Sequence, residues 1–233
     1  MTRHGIIGPV SEDGSDPAAG PSEWAVPGQV GVGPWPGGRA AWPTDGRYDP
    51  ELLEHGDARN VVDAYRYWRR EAVAADLAVR AHPFHVAIEN FGHDHNIGTV
   101  VRTANAFGVA GVHIVGRRRW NRRGAMVTDR YLDVRHHDDV TSLLAFAAER
   151  GLAVVAVDNT PDARPIESAP LPRECVLLFG QEGPGVTGEA RAAAAMTVSI
   201  AQFGSTRSIN AGVAAGIAMH AWVRLHADLS TAW

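Results

Sequence analysis

Cys175-Val-Leu-Leu-Phe179, running directly into Gly180-Gln-Glu-Gly-Pro-Gly-Val-Thr-Gly188, is the stretch that decides the fold class. A short unbroken apolar run bounded by a glycine cluster reads as a strand buried on both faces, and such strands belong to parallel sheets covered by helices. The same rhythm repeats outward from it. FHVAIEN from Phe84, GVHIV from Gly111, LAVVAV from Leu152 and MTVSI from Met196 read as further strands. Helical patterns lie between about Asn96 and Phe107, near 140–150 and 188–195, and from about Ser208 onward. Alternating strands and helices predict one α/β domain with a parallel sheet over 83–233, and there is no internal repeat.

Upstream the rhythm is absent. Residues 1–48 contain ten Gly and seven Pro and show neither period, which reads as a low-complexity, largely disordered arm. Trp24, Trp35 and Trp42 are unusual for a solvated tail and leave open that part of the arm lies on the body or on a partner. From Asp57 to Ala81, the spacing of Val61, Tyr65, Trp68, Ala72 and Leu77 fits one helical face, ended by His82-Pro83. Residues 49–82 are therefore expected to be a helical N-terminal extension.

The chain of 233 residues is 45% apolar and 21% charged, with a formal net charge of -4, an ordinary soluble composition. It has no run of 18 apolar residues and no apolar leader at its N-terminus, so a cytoplasmic location is expected. A single cysteine, Cys175, excludes an internal disulfide and reads as a buried, inert thiol. The neutral average over 83–233 hides a basic cluster. Arg117, Arg118, Arg119, Arg122, Arg123, Arg130 and Arg135 stand against only Asp129 and Asp133, with Trp120 and Tyr131 interleaved. Guanidinium forks pair phosphates and rings stack on bases, and this run follows a predicted strand end, where α/β sites form. Contact with RNA or DNA is the reading, with Arg117, Arg118, Arg119, Trp120, Arg122 and Arg123 as its residues.

Three glycine-bearing segments carry the remaining chemistry. In Asn96-Ile-Gly-Thr-Val-Val-Arg102, the stripe Ile97, Val100, Val101, Ala104 and Phe107 turns Arg102 to the other helical face. In the loop after Phe179, Gly183, Gly185 and Gly188 satisfy G-x-G-x-x-G, but no acidic residue follows about 20 positions on and Pro184 sits inside the pattern, so a dinucleotide fingerprint fails. In Ile200-Ala-Gln-Phe-Gly204-Ser-Thr-Arg-Ser208-Ile-Asn210, Ser208 is placed to cap the last helix, and Gly212 and Gly216 leave a groove for another helix.

Together, in order over roughly residues 84–225, these segments resemble the three signature motifs of the SpoU-type, TrmH-like RNA 2′-O-ribose methyltransferases of the SPOUT superfamily: N-x-G-x-x-x-R, L-F-G-x-E-x-x-G and I-x-x-x-G-x-x-x-S-x-N. The resemblance implies a SPOUT fold with a C-terminal trefoil knot, an exception to the rule against threading, and a homodimer. It implies S-adenosylmethionine as methyl donor, no metal, and tRNA or rRNA as substrate, with tRNA favoured because the arm does not look like a compact ribosomal-protein-like domain. Carried over by position, Arg102 serves catalysis, with Asn96, Glu182, Ser208 and Asn210 shaping the site. The cofactor would be held around Gly180, Gly185, Ile200, Gly204 and Ile209, mostly through backbone.

Two departures bear on cofactor affinity: Ala201-Gln202 stands where many relatives have Pro-Met, and Ala211-Gly212 replaces the usual Val-Ser. The expected reaction is in-line attack of a ribose 2′-hydroxyl on the sulfonium methyl. A guanidinium gives up its proton reluctantly, so Arg102 is expected to bind phosphate and stabilise the developing alkoxide. The alternative is a catalytically silent RNA-binding knotted module. His93, Asp94, His95 and the run His136-His137-Asp138-Asp139 are metal-ligand types without ligand spacing and read as structural or surface groups.

Overall fold

The computed structural model describes residues 31–90, 96–181 and 183–232. The chain divides after Trp68 into two compact units, inside the span read from sequence as one helical extension.

In the first unit, helix α1 (Pro50–His55) is capped by Asp49, whose side chain accepts the Glu51 N–H. Residues 31–48 are folded onto the rest of this unit: the Trp35 ring meets Tyr48 and Tyr67 edge-on at 5.8 and 5.2 Å, and the Tyr67 hydroxyl donates to Gly33 O. A disordered arm therefore does not extend to residue 48; Trp24 lies outside the described residues. Of the helix expected from Asp57 to Ala81 only the part from Arg70 to Arg80 forms; it is absent between Asp57 and Trp68. Asp57 is fully buried, and its carboxylate accepts the backbone N–H groups of Arg59 and Tyr67 and the Arg59 guanidinium. These bonds take donors that a helix would have used, and the segment folds as a loop instead.

The second unit begins with helix α2 (Arg70–Arg80), followed by β1 (His82–Asn90), α3 (Ile97–Ala106), β2 (Val109–Gly116), β3 (Val134–His137), α4 (Val140–Glu149), β4 (Ala153–Val157), β5 (Arg164–Pro165), β6 (Cys175–Phe179), α5 (Gly188–Ala193), β7 (Met196–Ser199) and α6 (Ala211–His226). All seven strands are parallel, in the order β3-β2-β1-β6-β4-β7-β5. Strand β6 is buried throughout, as its composition demanded. Its side chains divide by parity: Cys175, Leu177 and Phe179 join the core under α3 and α6, while Val176 and Leu178 join the core under α4 and α5. Trp222 of α6 stacks on Phe84 with ring centres 4.1 Å apart and donates its indole N–H to the carbonyls of Pro172 and Arg173.

Helix α6 starts at Ala211 and its cap is Asn210, not Ser208. Gly212 and Gly216 do face another helix: a Cβ on them would lie 3.1 Å from Thr99 and 3.7 Å from Thr103, both on α3. Strands β3 and β5 were not legible in the sequence. The first reads Val-Arg-His-His, and its Asp139 neighbour forms the capping box of α4 with Ser142. Among the described residues, no helix is long and apolar enough to cross a membrane.

Candidate active site

Three adjacent strands, β6, β4 and β7, end on one side of the sheet, and the loops that leave them wall a cleft of about 440 Å³. This is where open parallel sheets place ligands. Val157, Asp158 and Asn159 come from the first loop, Phe179, Gly180, Gln181, Gly183 and Gly185 from the second, and Ser199, Ile200, Gln202, Ser208, Ile209 and Asn210 from the third.

The glycine loop is folded back on itself. Gln181 and Gly185 exchange backbone hydrogen bonds at 3.2 and 3.0 Å, and a Cβ on Gly180 would fall 2.0 Å from the Gly185 carbonyl carbon. No side chain fits at 180, and Gly183 and Gly185 adopt φ of +94° and +73°, the region glycine enters freely. Two carboxylates anchor the loop from beneath. Asp158 Oδ2 accepts the Val186 N–H at 3.0 Å, and Glu89 accepts both the Thr187 N–H (3.0 Å) and its hydroxyl (2.6 Å). Burial raises the Glu89 pKa above the usual carboxylate range, and the two Thr187 bonds work against that rise.

The third loop is tied to the first segment by one side chain. Asn210 Oδ1 accepts the N–H groups of Gly212 and Val213, which fixes the amide and leaves Nδ2 to donate to Asn96 Oδ1 at 2.8 Å. Residues 114 positions apart are thereby joined at the edge of the cleft. Arg102 is exposed on α3 and is not part of the cleft wall. Gly204 does not line it either, whereas Gly180, Gly185, Ile200, Ser208, Ile209 and Asn210 do. Glu182 lies outside the described residues, as do His93, Asp94 and His95.

The arginine loop is built onto the same end of the sheet. Asn90, buried at the end of β1, donates from Nδ2 to Arg117 O at 2.6 Å and Arg119 O at 3.1 Å. A Cβ on Gly98 would lie 2.8 Å from the backbone of Gly124 and Ala125, so the loop backbone rests directly on the first turn of α3. Arg117, Arg118, Arg119, Arg122 and Arg123 are exposed. Trp120 differs from the reading as an open stacking ring: it is half-buried against the core, with the Arg122 guanidinium 5.5 Å from its ring centre. Asp158, Asn159 and Gln181 were not singled out from sequence as binding residues, whereas Gln202, read as bearing on cofactor affinity, does line the cleft. The position of Asp158, directly after an apolar strand, was the available signal.

The histidine and cysteine readings have definite places. His136 bonds Gly116 O, His137 is buried in a chain with His113, and among the described residues no group of metal-ligating side chains converges. Cys175 is buried, and desolvation pushes its thiol up to about 12.

The cleft suits a ligand part apolar and part polar, as a nucleoside-bearing cofactor is. Its lining combines Val157, Phe179, Ile200 and Ile209 with Asp158, Asn159 and Ser208, and Gln202 Oε1 is buried with no hydrogen-bond partner among the described residues.

Residues 83–220 match the SpoU rRNA Methylase family. The chain belongs to this family. The tRNA (guanosine(18)-2'-O)-methyltransferase of Thermus thermophilus is 31% identical over 157 residues, covering 64% of this chain and 78% of that protein. The TrmH/SpoU tRNA modifying enzyme of A. aeolicus superposes with a TM-score of 0.60 at 24% identity, over 67% of this chain and 81% of its own. AviRb, a SpoU methyltransferase of Streptomyces viridochromogenes solved with AdoMet, gives 0.57 at 23% identity, over 62% and 58%. These two structural likenesses carry the fold, and the SpoU family match carries the lineage.

Proposed function

We propose that the chain transfers a methyl group from S-adenosylmethionine to a ribose 2′-hydroxyl of structured RNA, with tRNA favoured over rRNA. The observation that carries this reading is the Asn96–Asn210 hydrogen bond, which joins the helix bearing Arg102 to the loop that closes the cleft. When bound, the cofactor supplies an activated methyl and needs no metal. The chain's own residues supply position and charge. Gly180 and its loop offer backbone groups to the cofactor, and Ile200 and Ile209 offer apolar walls. Arg102, exposed on α3, binds the RNA phosphate and stabilises charge developing on the attacking oxygen. Asn96, Glu182, Ser208 and Asn210 shape the site around it. Arg117, Arg118, Arg119, Arg122 and Arg123 hold the RNA backbone, and Trp120 anchors their loop.

The same reading includes a trefoil knot, a homodimer and a cytoplasmic location. Support for the knot comes from strand order: the chain crosses to the far edge at β5, returns as β6 between β1 and β4, and crosses again as β7. The tRNA preference rests on the Thermus thermophilus relative.

Labelled S-adenosylmethionine, offered with separate tRNA and rRNA pools and followed by nuclease digestion and nucleoside analysis, tests the reading. A 2′-O-methylated nucleoside from tRNA is the expected product. Cofactor and RNA binding with no transfer to either pool would favour a catalytically silent module.

A further inference from the structure

Asp158 is the one charged side chain among the described residues that line the cleft. It is held still. Oδ2 accepts the Val186 N–H at 3.0 Å, Oδ1 accepts the Asn159 N–H at 2.8 Å, and a Cβ on Gly185 would come within 2.8 Å of Oδ2. The carboxylate is thus pressed against the glycine loop, and each oxygen keeps a lone pair beyond the bond it accepts. Its ion-pair partner, Arg191, stands on α5 at 3.7 Å, too far for a hydrogen bond, and the two side chains are 41% (Arg191) and 17% (Asp158) exposed. The negative charge in the cleft is therefore fixed and only partly compensated.

Such a charge acts on the net charge of whatever occupies the cleft. S-adenosylmethionine carries a positive sulfonium, and S-adenosylhomocysteine has lost that charge together with the methyl. We propose that Asp158 is a specificity-determining residue that makes the cleft hold the cationic methyl donor more tightly than the neutral product. Methyl transfer then itself loosens the spent cofactor. The proposal rests on the methyltransferase reading above and adds to it a source of discrimination between substrate and product.

Calorimetric titration of the full chain with S-adenosylmethionine, S-adenosylhomocysteine and sinefungin, whose amine places a cation where the sulfonium stands, tests it without turnover. The unmodified chain binds the two cationic ligands more tightly than S-adenosylhomocysteine. In Asp158→Asn, affinity for both cationic ligands falls roughly tenfold, the order of one solvent-screened charge pair, while that for S-adenosylhomocysteine stays within about twofold. Arg191→Gln moves the other way and widens the preference, because it removes the countercharge and leaves the loop bonds intact. That second variant decides the matter where Asp158→Asn disturbs the loop and weakens all three ligands alike. Equal affinities in the unmodified chain, or a preference unchanged in Arg191→Gln alongside equal losses in Asp158→Asn, overturns the proposal. Failure of the unmodified chain to bind any of the three overturns the cofactor reading itself, and the proposal with it.

Discussion

Arg102 stands exposed on α3, four positions after Gly98, whose missing side chain lets the arginine loop rest on the helix. A planar fork can pair a phosphate and a developing alkoxide at once, and an ammonium cannot reproduce that geometry. Arg102→Lys is therefore expected to lower kcat by about 100-fold while leaving S-adenosylmethionine affinity unchanged; a rate near that of the unmodified chain would contradict the role. At this scale the sequence was informative where a residue's type and its neighbours sufficed. Gly180 could be picked out because an apolar strand ran into it, and Cys175 because it opened that strand. Asp57 could not: a carboxylate in a charged, helical-looking stretch gives no sign that it will be buried under the N–H groups of Arg59 and Tyr67.

Among the elements, β1 does more than its sequence announced. Its last two residues hold the two loops that flank the site, Glu89 through Thr187 of the glycine loop and Asn90 through the carbonyls of Arg117 and Arg119. Removing the Asn90 amide leaves two loop carbonyls without their donors. Asn90→Ala is expected to cost about 1–3 kcal/mol of stability and to raise KM for RNA several-fold, with cofactor affinity measured by calorimetry unchanged; an unchanged KM would show that the arginine loop needs no such clamp. Sequence reading placed β1, β2, β4, β6 and β7 from apolar runs, and α3, α4 and α6 from period. It missed β3 because Val-Arg-His-His has too little apolar content to signal a strand, and β5 because two residues, Arg164–Pro165, give no pattern at all. It put the α6 cap at Ser208 because either residue type can cap, and only the bonds to Gly212 and Val213 distinguish Asn210.

For the whole molecule, the parallel order of the strands follows from how they are buried, but the order β1-β6-β4-β7 depends on long-range pairing that no local pattern reports. The sheet carries a consequence for acid stability. His85, His113 and His137 lie across β1, β2 and β3, linked by ring nitrogens at 3.0 and 2.8 Å and packed on Phe146 of α4. Burial depresses all three, His85 to about 4 and His113 to about 2; Arg135 lowers all three further and Arg150 lowers the first two, while Asp133 opposes at His85 and a Ser142 backbone bond and Asp138 oppose at His137. In the unfolded chain they take up protons near 6.5, so below that pH the unfolded state binds more protons than the folded one and stability falls. The free energy of unfolding, measured by denaturant titration, should fall from pH 7 to pH 5, by up to about 1.4 kcal/mol per pH unit for each histidine kept neutral, and less steeply in His113→Phe. A flat profile over that window would contradict the burial of the three rings. The most direct test of the whole molecule is the chemistry assigned to it. Methylation of a ribose 2′-oxygen removes the nucleophile that alkali uses to cleave RNA, so tRNA treated with this protein and S-adenosylmethionine should gain one alkali-resistant linkage, absent with Arg102→Ala. Label incorporated into tRNA with no resistant linkage would place the methyl on a base and contradict ribose methylation.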